Sequence, residues 1–216
     1  MSNRSLIELD NAYQSTNELL FILDDLFCFS IEKYERALRK ETEKLFKQMH
    51  VSEVLFDKAF PQLIWWLLFC HPQEVNSKTI YQDYLEVHNE KWKQTNQIVQ
   101  NHLTRWLRVI PGFYCVVGRY SNRFFHVRDI FFKRDKKVYI FNENFHPVKT
   151  GDVISGLLLP VGENLYTTQG ELFHFPVQMV PDLMSMLQQY AEKHVNPMFN
   201  YPALLHTIMS MMEKDL

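Results

Sequence analysis

Cysteine is sparse in this chain. Its three residues, Cys28, Cys70 and Cys115, stand far apart with no CxxC pair, which argues against a disulfide framework or a zinc ribbon. An odd, apolar-flanked set predicts reduced, buried thiols. Long apolar runs are missing too. The strongest, Leu63-Ile64-Trp65-Trp66-Leu67-Leu68-Phe69-Cys70, falls far short of the roughly 20 residues that cross a bilayer. Glycine is scarce, at 6 residues. Gly151, Gly156 and Gly162 form no phosphate cradle, because no helix carrying Lys-Ser or Lys-Thr follows them.

Catalytic and metal signatures are absent as well. Histidine occurs 9 times, yet His88 and His102 sit about four turns apart on a helical stretch. Cys70-His71 has no second pair at zinc-ligand spacing. No metal and no cofactor is expected. His126 and Asp129 share one strand segment, and Ser155 stands beside Gly156 without a nucleophile elbow. An enzyme is therefore not expected, and a hydrolase is only the third reading. Met1-Ser2-Asn3-Arg4 leads into acidic and polar residues with no signal-peptide core. A soluble, cytoplasmic protein is the expectation.

What is present is apolar and aromatic. Of 216 residues, 46% are hydrophobic, and 17 Phe, 10 Tyr and 4 Trp promise a well-filled core and an adhesive surface. To about residue 107 the helical period dominates. Leu19, Leu20, Leu23, Leu26 and Phe27 recur at three- and four-residue spacing. Ser30 reads as the N-cap of a next helix over 31–49, whose alternating charges describe a solvated face. Val51-Ser52-Glu53 opens a third helix, with Pro61 starting, kinking or interrupting it and His71-Pro72 ending it. Residues 77–109 hold no Pro or Gly and predict one long helix or two nearly continuous ones, stopped by Pro111-Gly112.

The texture then changes. β-branched and aromatic runs at 113–119, 124–132, 137–142, 153–160 and 164–175 are separated by turn-formers such as Ser121-Asn122, Arg134-Asp135 and Lys149-Thr150-Gly151-Asp152. After Pro181 the helical period returns, with Pro197 and Pro202 punctuating a Met-rich last helix. The expected fold class is α+β: a helical subdomain over 1–112, a small SH3-like or OB-like antiparallel β-barrel module over 113–180, and C-terminal helices over 181–216 packing back. That last helix, with Met209, Met211 and Met212, either docks on the body or offers a homo-oligomer seam. Docking is the favoured reading.

Four groups in order carry a resemblance: Trp65-Trp66-Leu67-Leu68-Phe69; Leu107-Arg108-Val109-Ile110-Pro111-Gly112-Phe113-Tyr114; the segment around Val127-Arg128-Asp129-Ile130-Phe131; and 149–162 followed by Gly170. Together, over roughly residues 60–175, they resemble uncharacterised bacterial proteins that often end in a SEC-C zinc-binding tail. No cysteine lies beyond Cys115, so the tail and its zinc are not implied here. The resemblance implies a helical region breaking at proline-glycine before a β-module, and a regulatory or interaction role.

The sharpest functional signal is local charge. Residues 119–149 hold eight basic side chains against three acidic ones, Asp129, Asp135 and Glu143. Aromatic residues interleave with them. Candidate contact residues are Arg119, Tyr120, Arg123, Phe124, Lys133, Arg134, Lys136 and Lys137. The leading reading is a non-enzymatic binding or regulatory module that contacts a protein partner with this basic, aromatic face. The alternative is single-stranded nucleic acid, with cations tracking phosphates and rings stacking on bases.

Overall fold

The computed structural model describes residues 3–74, 77–141, 145–193 and 200–214, with side chains from Asn17 to Glu213. The predicted positions Asn142, Glu143 and Pro197 lie outside the described residues.

Helix α1 (Asn3–Met49) runs unbroken through Ser30, which corrects the expected N-cap. Ser30 is buried, and its Oγ donates to the Phe27 carbonyl at 2.7 Å. A serine hydroxyl can satisfy itself against the preceding turn and leave the ladder intact. With no Gly or Pro before residue 61, the helix continues until His50, whose φ of 45° ends it. Helix α2 (Glu53–Phe69) carries Pro61 inside it, so the proline costs the Asp57 carbonyl its helical donor without ending the helix.

The continuous helix expected over 77–109 is instead three: α3 (Ile80–Val87), α4 (Asn89–Lys93) and α5 (Gln97–Trp106). Polar side chains that bind backbone set the start of α3 and the break before α5. Thr79 and Gln82 form a capping box on α3. The Thr95 hydroxyl donates to the Trp92 carbonyl at 2.8 Å, and Asn96 Oδ1 accepts from Val99 N–H at 3.0 Å. Pro111-Gly112 begins the first strand rather than stopping a helix.

Seven strands follow: β1 (Pro111–Arg119), β2 (Phe124–Asp129), β3 (Asp135–Tyr139), β4 (Val153–Leu157), β5 (Leu159–Pro160), β6 (Leu165–Thr167) and β7 (Phe173–His174). Their order in one sheet is β5-β6-β3-β2-β1-β4-β7. β4 and β5 are separated only by Leu158, yet they stand at opposite flanks of that order. Residues 157 and 159 can be at most about 7 Å apart, so the sheet has to curl, and it forms a half-barrel. The expectation of an antiparallel module is corrected at one joint, where β3 pairs with β6 in parallel, Lys137 opposite Leu165.

The expected buried strand after the Lys149–Asp152 turn is β4, every residue of which is buried. Asp152 Oδ2 accepts from Lys149 N–H at 2.6 Å, and Gly151 takes φ +95° at the turn. The inner face of the curl packs Tyr114, Val116, Phe125, Val127, Val138, Ile154 and Leu158 into a small core. From the other face Phe113, Val153, Leu157 and Phe173 enter the same core as α1, α2 and the C-terminal helices. Helices and sheet are thus welded by one large apolar core.

A buried glutamine marks that weld. Gln62 of α2 is fully buried; its Oε1 accepts from Leu157 N–H at 2.9 Å and its Nε2 donates to the Glu171 carbonyl. Gly156 makes room, since a Cβ there would stand 2.6 Å from Gln62 Oε1. On the far side Trp106 Nε1 donates to the Pro160 carbonyl at 3.0 Å, and Arg105 reaches the Gly162 carbonyl at 2.7 Å.

Helix α6 (Val180–Lys193) and helix α7 (Tyr201–Lys214) close the fold. Met209 and Met212 are buried with Leu204, Leu205 and Ile208. The Met-rich helix therefore docks on its own body, and those two methionines are not free to form a seam. Among the described residues no helix is long and apolar enough to cross a membrane.

Candidate functional site: the outer face of the half-barrel

The register of β1, β2 and β3 sorts the eight candidate residues. Across β2 and β3, Phe124 faces Tyr139, His126 faces Lys137 and Arg128 faces Asp135 on the outer surface, while Phe125–Val138 and Val127–Lys136 alternate inward. β2 spans about 17–20 Å. Its two ends hold different chemistry, and the candidates do not form one cluster.

The β1–β2 end carries the rings. Tyr120 stacks on Phe124 with centroids 4.8 Å apart and planes at 29°. Phe124 neighbours Tyr139 at 6.2 Å, and Tyr139 meets Phe141 edge-on at 4.7 Å. The four rings form a ladder across the hairpin, and Tyr120 at its open end is 57% exposed. Two arginines flank it, both leaning on backbone: Arg119 toward the Val148 carbonyl and Arg123 toward the Phe141 carbonyl, each at 3.4 Å. The ladder exists because a bulge at Val117 shifts β1 against β2 and re-aims its end. In the sequence Tyr139 and Phe141 stand only among the aromatics interleaved with the basic residues. The signal that joins them to Tyr120 is the β2–β3 register, which sequence periodicity does not supply.

The β2–β3 end carries charge, much of it already neutralised. Arg128 and Asp135 form a two-pronged pair at 2.7 and 3.2 Å. The hydrogen bond from Arg128 holds the Asp135 carboxyl below its ordinary value. Lys136 is not a surface residue, which corrects its place in the candidate face. Its side chain is 17% exposed, 2.9 Å from Asp129 Oδ2, with the Tyr114 ring at 4.7 Å and the Tyr166 ring at 5.4 Å. Asp129 in turn accepts from the Phe131 and Phe132 N–H groups at 3.1 and 3.0 Å, which shapes the turn in which Lys133 takes φ +54°. Lys133, Arg134 and Lys137 are exposed and, among the described residues, form no ion pair.

The catalytic reading finds no geometry. His126 points outward, 3.6 Å from Asp135, and Asp129 points inward, so they do not meet. Ser155 is buried; its Oγ donates to the Gly112 carbonyl at 2.9 Å and contacts the Tyr201 hydroxyl at 3.0 Å. Both contacts are structural. Among the described residues no group of three His, Cys, Asp or Glu side chains could hold a metal. Cys70 is an inert thiol, pushed up to about 12 by burial, and burial also raises Cys115. Cys28, expected to be buried, is exposed on α1.

No known protein family, no curated protein and no solved structure matches this chain.

Proposed function

We propose that the chain is a non-enzymatic binding module that holds a protein partner against the outer face of β1–β2–β3. The observation that carries the reading is the ladder of half-buried Phe124, Tyr139 and Phe141 ending on exposed Tyr120, with cations beside it. Large rigid rings next to arginine are the side chains that dominate protein interfaces, because they bury much area at little entropic cost. Lys137 on the same face, with Lys133 and Arg134 exposed at the β2–β3 turn, favours an acidic partner surface. Cytoplasmic residence, an SH3-like or OB-like class for the half-barrel and kinship with the SEC-C-associated proteins belong to this proposal, and no residue role is taken from that kinship.

The test is affinity capture with the full chain as bait. Tyr120→Ala and Arg123→Glu each strip the partner while leaving the melting temperature within a degree or two of the parent. A partner profile that survives both substitutions refutes the assignment.

One observation favours a second reading. The near-parallel stack of Tyr120 on Phe124 leaves a ring at the end of the ladder onto which a base could continue the stack. Single-stranded RNA and DNA pools titrated by fluorescence anisotropy at two salt concentrations separate the readings. Saturable binding that weakens several-fold with salt is the mark of phosphate neutralisation. The protein-partner reading expects none at physiological salt.

A further inference from the structure

A cleft of about 270 Å³ opens between α1, the end of α2 and the start of α7. Its apolar wall is Leu45, Met49 and Trp66, with Pro202 and Ala203 across from them. Its polar lining is Glu41, Lys44, Gln48, His71, Asn200 and His206. Glu41 is an almost buried carboxylate, its side chain 12% exposed, whereas its cation Lys44 stands at the lip and is half exposed. Water still reaches Glu41 Oε1. Among the described residues Oε2 receives both contacts, Lys44 Nζ at 3.2 Å and His71 Nε2 at 3.7 Å, and Oε1 receives none. The His71 ring lies against Trp66, centroids 5.0 Å apart, and burial lowers its pKa, so near pH 7 the imidazole brings no charge to Glu41.

An apolar wall with a few convergent polar groups is the general form of a small-ligand site. Here the two charged groups are one of each sign, within hydrogen-bond distance of each other, in a cleft that an indole helps to line. We infer that the Glu41–Lys44–Trp66 cleft binds a small zwitterion with an apolar body, of the size and chemistry of a free hydrophobic amino acid. The ligand ammonium takes the open Oε1 of Glu41, its carboxylate takes Lys44 Nζ, and its side chain lies along Trp66, Leu45 and Met49. A purely cationic ligand would meet Lys44 as a like charge, and a purely anionic one would meet Glu41.

The experiment is saturation-transfer NMR on the full chain with L-phenylalanine, phenethylamine and 3-phenylpropanoate as probes. L-phenylalanine saturates with a dissociation constant of about a millimolar, the affinity expected for a dozen heavy atoms in an open cleft. Each analogue lacking one charge binds about tenfold more weakly, and Glu41→Gln and Lys44→Met each weaken L-phenylalanine by about tenfold. Lys44→Met lies at the surface and keeps the melting temperature, so its loss of binding is not a loss of fold. No saturable transfer up to tens of millimolar overturns the inference. So does an amine or acid analogue that binds as well as the amino acid, or binding that both substitutions leave intact.

Discussion

Lys136 Nζ sits 2.9 Å from Asp129 Oδ2 on the inner wall of the half-barrel, capped by the rings of Tyr114 and Tyr166. The most basic stretch of the sequence therefore sends one of its lysines inward. Replacing one member of a buried pair leaves the other charge without compensation, at a cost of about 3 kcal/mol or more. Lys136→Glu, which sets a second carboxylate beside Asp129, lowers the melting temperature sharply. Lys133→Glu, Arg134→Glu and Lys137→Glu each stay within about 0.5 kcal/mol of the parent. Urea unfolding of the four variants checks the contrast. Equal stability across them would place Lys136 at the surface.

The same residue shows how far the sequence could be read. Runs of β-branched and aromatic residues located β1 to β4, and the Thr150-Gly151-Asp152 turn announced the buried strand that follows, because turn chemistry and propensity are local. Whether Lys136 points in or out depends on pairing register, and a shift of one residue reverses it. Val138 two positions on is fully buried, so alternation held the clue. The parallel joint of β3 with β6 and the ladder from Tyr120 to Phe141 follow from the curl of the whole sheet, which no local pattern encodes. Ser30 misled for the opposite reason: a good cap residue found its partner within the helix at Phe27.

Gly156 and Gln62 are coupled. A methyl at 156 would fall 2.6 Å from Gln62 Oε1 and 2.7 Å from Leu172 Cδ2. Gly156→Ala is expected to destabilise by about 1–3 kcal/mol through overpacking. Gln62→Ala removes the donor and acceptor that serve Leu157 and Glu171 and is itself destabilising. The double variant is less damaged than the two losses predict, because the shorter side chain yields the space that the methyl needs. Strict additivity in a double-mutant cycle would contradict the contact.

Stability falls as pH drops from 7 toward 5. His102 Nδ1 and His174 Nε2 are buried with no partner among the described residues. Burial lowers the pKa of both; the charge of Arg105 adds to this at His102 and that of His146, whose ring is 4.8 Å away, at His174. Below the unfolded value of about 6.5 the unfolded chain takes up protons that the native rings resist. Their contribution is therefore full above that pH and is lost as pH falls toward the lowered native values. His174→Gln flattens the decline, read as urea midpoints at pH 7.5 and 5.5. A variant whose midpoints fall as steeply as the parent's would remove His174 from the account.

The central claim is that the ring ladder on the outer sheet face meets a protein. The most direct measurement places a photo-crosslinking phenylalanine derivative at Tyr120 and, as a control, at Lys93 on the helical side, in cells of the native host. The account predicts a discrete adduct from position 120 that resists nuclease and is lost to protease, with none from position 93. No adduct at 120, or one that nuclease abolishes, would contradict it.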